Sequence, residues 1–184
     1  MIARLILGLF CLAGTAAVPA GTGWTHFVST KYRFSAWYPP GWQPLAPGSQ
    51  SLEIIDFPQS QRVTGTIIPE GGALIQAGPD ALPGTVQDQI NSELLHAGAV
   101  SAIIDQTLVT GLPYPDAPKT LRQVEYYENY GTQTDPVLQH ITDFWCEVNG
   151  RVAGVTLFYW RGNKDAKMLE GLALDVARSL RVQK

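Results

Sequence analysis

Phe144-Trp145-Cys146-Glu147-Val148-Asn149-Gly150-Arg151-Val152-Ala153-Gly154-Val155-Thr156-Leu157-Phe158-Tyr159-Trp160 predicts an antiparallel hairpin. Asn149-Gly150 is the dipeptide that most readily takes the two positive φ angles of a type I′ turn, whose twist matches the strands it joins. β-Branched and aromatic residues extend the pairing back to Val137 and forward to Trp160. On the second arm Val152, Phe158 and Trp160 alternate with Val155, Leu157 and Tyr159. A strand that is apolar on both sides belongs in the middle of a sheet covered on both faces.

Outward from that hairpin, Leu169, Leu172, Val176 and Leu180 recur every three or four residues and predict a closing helix. Upstream, Leu121 to Tyr130 and Ile103 to Thr110 read as strands. Before them Val86, Ile90 and Leu94, set among polar residues, predict an amphipathic helix that stops near His96 to Gly98. Nearer the start, Arg33 to Tyr38 reads as a strand ended by Pro39-Pro40-Gly41, and Ser51 to Phe57 as the next. Apolar residues at Val63, Ile67, Ile68, Leu74 and Ile75, interrupted by Gly71-Gly72, predict one or two short strands more. Strands on either side of a central helix, without regular alternation, indicate the α+β class and a largely antiparallel sheet.

The first twenty residues have the three parts of a secretory signal peptide: Arg4, an apolar run from Leu5 to Ala13, and small residues ending Ala17-Val18-Pro19-Ala20. That run is shorter than the ~20 residues of a membrane span. A lipoprotein reading centred on Cys11 fits poorly, because Gly8-Leu9-Phe10 precedes it where a leucine three places upstream and a small residue just before are wanted. The expectation is an exported, periplasmic or secreted protein with residues 1–20 removed and residues 24–184 forming a single globular domain with no membrane span. Without Arg4 the 13 basic residues become 12 against 16 acidic, a balance of −4, which gives no footprint for nucleic acid. Cys146 is then the lone cysteine, so no disulfide within the mature chain is expected.

The run Lys31-Tyr32-Arg33-Phe34-Ser35-Ala36-Trp37-Tyr38-Pro39-Pro40-Gly41-Trp42 resembles the opening hairpin of the PsbP-like superfamily, in which an extended phenylalanine strand leads into a Tyr-Pro-x-x-Trp turn. The ending is similar too, with a long hairpin and then a helix closing in Val176-Ala177-Arg178-Ser179-Leu180. The resemblance implies an α/β/α sandwich on a central antiparallel sheet, the fold also of a Ran-binding nuclear protein family. It implies an accessory or binding role and not a shared active site. The matched positions are structural: Pro40 and Gly41 for the turn, Phe34 and Trp42 for the core.

The residues offer little catalytic chemistry. His140 and Cys146 lie six apart on one strand, roughly 20 Å at ~3.3 Å per residue, and cannot touch. Cys146 therefore reads as a buried, unreactive core residue. His26, His96 and His140 are isolated in sequence, so no metal and no cofactor is expected, and strand alternation sends Asp143 to the face opposite His140. There is no phosphate loop, dinucleotide fingerprint or nucleophile elbow. Dispersed carboxylates among Asp56, Glu53, Glu125, Glu128, Asp143 and Glu147 leave a hydrolase as one alternative. Clustered aromatic residues leave a small-molecule or glycan binder with an aromatic cleft as another.

The leading expectation is a non-catalytic, exported accessory or binding protein whose partner is a protein or small ligand of the cell envelope. Its contact residues are sought in the stiff loop Leu112 to Lys119, at Pro113, Tyr114, Pro115 and Asp116, with a plain connector as the competing reading. Tyr127 and Tyr130 are further contact candidates, on opposite faces of a strand rich in polar residues.

Overall fold

The computed structural model describes residues 23–45, 50–61, 68–79, 84–96, 106–109 and 118–183. The expected leader at 1–20 and the expected contact residues Pro113, Tyr114, Pro115 and Asp116 lie outside the described residues. In chain order the elements are β1 (Thr25–Ser29), β2 (Phe34–Tyr38), β3 (Gln43–Pro44), β4 (Leu52–Ile55), β5 (Ala73–Pro79), α1 (Val86–His96), β6 (Gln106–Val109), β7 (Thr120–Asn129), β8 (Leu138–Val148), β9 (Arg151–Trp160), α2 (Ala166–Ser179) and β10 (Arg181–Val182). A short 3-10 turn, Gln59–Gln61, follows β4.

The main sheet runs β3-β4-β5-β9-β8-β7-β6 and is antiparallel at every pairing. β9 is therefore central, as its two apolar sides require. Asn149 and Gly150 take φ of +55° and +74°, the turn that their sequence predicts, and Val148 pairs with Arg151 across it. A second sheet, β1-β2-β10, holds the two ends of the described chain together.

Among the described residues two helices cover the main sheet. α2 lays Leu169, Ala173, Val176 and Ala177 on one face, where they share a buried cluster with Phe34, Phe144 and Leu157. On the other face Ile90 of α1 meets Val124, Tyr126, Ile141, Trp145 and Val152. Complete burial of each large side chain such as Leu157 or Leu169 contributes about 1.5–3 kcal/mol, so both faces stabilise the sheet. The architecture is the α+β, helix–sheet–helix arrangement with a large antiparallel sheet. Phe34 is fully buried and Trp42 half-buried against the same cluster, while Gly41 supplies a φ of +83° at the turn between them. Among the described residues no helix is long and apolar enough to cross a membrane.

Candidate functional site

Strand alternation on β8 sends His140, Thr142, Phe144 and Cys146 toward α2, and Ile141, Asp143 and Trp145 toward α1. The pairing register then decides what each residue meets. His140 stands opposite Tyr127 on β7 and Tyr159 on β9, with ring centroids 4.7 Å and 4.6 Å away. Two residues along β7, on the same face, Glu125 brings its Oε1 to 2.6 Å from His140 Nε2, a contact that lacks the alignment of a directed hydrogen bond. From above, Glu170 of α2 accepts a hydrogen bond from the Tyr159 hydroxyl at 2.7 Å.

Glu125, His140 and Glu170 thus converge, with one ligating atom from each lying within 4.8 Å of the others. Burial pushes the His140 pKa down and outweighs the two carboxylates, which act in the opposite direction. Burial also raises the Tyr159 hydroxyl, and Glu170 beside it adds to the effect. His140 is isolated only along the chain. In space it has two acidic neighbours, drawn from 15 residues before it and 30 after it.

Beside this cluster the ends of β7, β8 and β9 form an aromatic corner. The Arg161 guanidinium lies 5.6 Å from the Tyr127 ring centre, within cation–π range. Tyr130, 39% exposed, sets its ring edge-on to Trp160 at 6.2 Å, and Val137 beside it is 43% exposed. Trp160 is anchored by its Nε1–H, which donates to Ile68 O at 2.7 Å. A groove of about 440 Å³ runs between Glu70, Pro136, Val137, Leu138, Trp160 and Arg161. Tyr127 faces the α2 side with His140, whereas Tyr130 faces the Trp160 side.

The α1 side carries a second cavity, about 390 Å³, with Gln76, Gln89, Glu93, Trp145, Gly154 and Thr156 among its lining residues. Asp143 lies buried beneath it and does not line it. Burial pushes the Asp143 carboxyl up to about 7 against the lowering effect of Thr156 and Tyr126, and Glu93 adds to the rise. Among the described residues Glu93 is the one carboxylate on the cavity wall, so two acids do not face each other across this opening. Asp56, another of the dispersed acids, has a structural partner, since its Oδ1 accepts the Ala73 N–H at 2.7 Å.

No protein-family model and no curated relative matches the sequence. Solved structures share the fold. The Ran-binding protein Mog1p of Saccharomyces cerevisiae is similar at a TM-score of 0.51 and 10% identity, over 87% of this chain and 95% of that one. A point mutant of protein Mog1 gives 0.50 at 10% identity, over 87% and 96%. A protein from Bacteroides thetaiotaomicron gives 0.46 at 15% identity over 86% of this chain, which spans 48% of that protein's length. The Mog1 likeness is one of fold, and it is the fold that the PsbP-like resemblance implied.

Proposed function

We propose that this chain is an exported, non-catalytic accessory protein of the PsbP-like kind that docks on a partner protein of the cell envelope through the aromatic corner. The observation that carries the reading is Tyr130 and Val137, both well exposed, the first set edge-on to Trp160 and the second lining a groove with Trp160 and Arg161. Tyrosine, tryptophan and arginine are the residue types that concentrate binding energy at protein interfaces. A sheet pairs and holds Trp160 in place before any partner arrives, so little conformational entropy is lost there on binding. The Ran-binding name of Mog1p supports docking on a protein as a use of this fold. The three-part leader supports export, and the loop with Pro113, Tyr114, Pro115 and Asp116 supplies a second contact in this reading.

The test is recovery of a partner from the native envelope fraction on immobilised mature protein, compared with Tyr130→Ala, Val137→Ser and Tyr114→Ala forms. A stoichiometric partner lost with Tyr130→Ala and Val137→Ser at unchanged melting temperature is the expected result. Equal recovery by all forms overturns the corner as the docking site.

The cavity beneath α1 favours a second reading, a small-ligand binder. Its volume suits a small molecule, and Trp145 offers a stacking surface beside the amides of Gln76 and Gln89. Quenching of tryptophan fluorescence by a ligand, abolished by Trp145→Leu, would select it.

A further inference from the structure

We propose that Glu125, His140 and Glu170 bind one divalent transition-metal ion. Three separate elements, β7, β8 and α2, each supply one donor, and the three donor atoms lie within 4.8 Å of one another. His140 is only 6% exposed, and its buried Nε2 meets Glu125 Oε1 at 2.6 Å without the alignment of a hydrogen bond. Nearly every buried polar atom has a well-aligned partner, and a ring nitrogen that meets a carboxylate out of line gains one through a metal bond.

Charge and donor chemistry agree. Two carboxylates and a neutral imidazole carry two negative charges, which one divalent cation neutralises. An imidazole with two carboxylate oxygens suits zinc, manganese, cobalt or ferrous iron, and is a poor set for copper(I), which takes sulfur. Cys146 is six residues farther along β8, roughly 20 Å away at ~3.3 Å per residue, and adds no thiolate.

The surroundings suit the role. The Tyr159 hydroxyl holds Glu170 Oε1 at 2.7 Å, and the rings of Tyr127 and Tyr159 flank the imidazole, which fixes the orientation of two of the three donors. Donors about 2.0–2.2 Å from a tetrahedral ion stand roughly 3.3 Å apart. The longest gap therefore closes by about 1.5 Å, within reach of glutamate rotation, and the 2.6 Å His140–Glu125 contact opens slightly. The Glu125 side chain is 24% exposed, which gives the ion a way in and leaves a coordination position for water. The inference does not depend on the docking proposal, because a metal can bind whether or not a partner does.

The experiment titrates the untagged full chain with Co2+ and follows visible d–d absorption, then displaces Co2+ with Zn2+ and follows the melting temperature. One Co2+ per chain is expected, with Zn2+ competing and raising the melting temperature. His140→Ala and Glu125→Gln should each weaken binding at least ~10-fold. Glu125→Gln keeps the side-chain shape at a partly exposed position, so it decides the matter if His140→Ala fails to fold. Absence of Co2+ absorption at millimolar metal, or uptake unchanged in Glu125→Gln, overturns the proposal.

Discussion

Ser179 Oγ accepts a hydrogen bond from the Trp37 backbone N–H at 2.8 Å and donates one to Val176 O at 2.7 Å. One hydroxyl thus ties the last turn of α2 to β2 across 142 residues of chain. Both partners fall within the two stretches that carry the family resemblance, Lys31 to Trp42 and Val176 to Leu180, so the similarity at the two ends of the domain marks a single junction.

Ser179→Ala removes the acceptor and leaves the Trp37 N–H unpartnered in a partly buried site. The expected loss is ~1–3 kcal/mol, read as a lower urea midpoint at unchanged m-value. Stability equal to the parent would show that water replaces the hydroxyl.

Gly154 stands opposite Trp145 in the β8–β9 register, and a Cβ built at Gly154 falls 2.6 Å from Trp145 Cε3. The glycine is where it is because the indole occupies its side-chain space. Gly154→Ala should cost ~1–3 kcal/mol through overpacking in the centre of the sheet. The cost should shrink in a Trp145→Leu background, a coupling that a double-mutant cycle measures. Equal costs in both backgrounds would put the strain elsewhere.

Much of the fold is legible in the chain because local rules and tertiary packing agree at these positions. Asn149-Gly150 sets the hairpin, and the two apolar sides of β9 place it mid-sheet. The short pairings are different: β3 and β10 are two residues each and exist because β4 and β2 offer them partners, which no local pattern announces. The His140 cluster was hidden for a related reason. Glu125, His140 and Glu170 share no spacing, and what unites them is the β7–β8 register and the crossing of α2. Once β7 and β8 are read as neighbours with Tyr127 opposite His140, Glu125 two places back falls on the same face. Glu170 needs the helix position as well.

Cys146 Sγ lies 3.3 Å from Ala153 O with the thiol donating, and burial pushes its pKa up to about 12. The thiolate that reacts is then scarce near neutral pH. A thiol reagent should label Cys146 slowly in the native protein and rapidly in denaturant. Cys146→Ser lets the hydroxyl take the same acceptor, so its cost should sit at the low end of ~1–3 kcal/mol. Native labelling as fast as denatured labelling would mean that β8 opens readily.

Asp143 makes stability depend on pH in a defined direction. Burial raises its folded pKa to about 7, above the usual aspartate value of 3.8, so the folded state holds a proton that the unfolded state has released. Stability should therefore fall as pH rises from about 4 to about 7, at up to ~1.4 kcal/mol per pH unit. His140 opposes this trend, because its folded pKa is lowered and stability from it rises with pH up to about the ordinary histidine value of 6.5. Comparing the parent with Asp143→Asn cancels the histidine, which is present in both. The substituted amide does not titrate, so the variant's stability relative to the parent should grow between pH 4 and pH 8 by a few kcal/mol, on the order of the pKa difference times 1.36. Urea unfolding at closely spaced pH values gives both curves. Parallel curves would mean that Asp143 titrates alike in the folded and unfolded chain, which would require water to reach it through the cavity beneath α1.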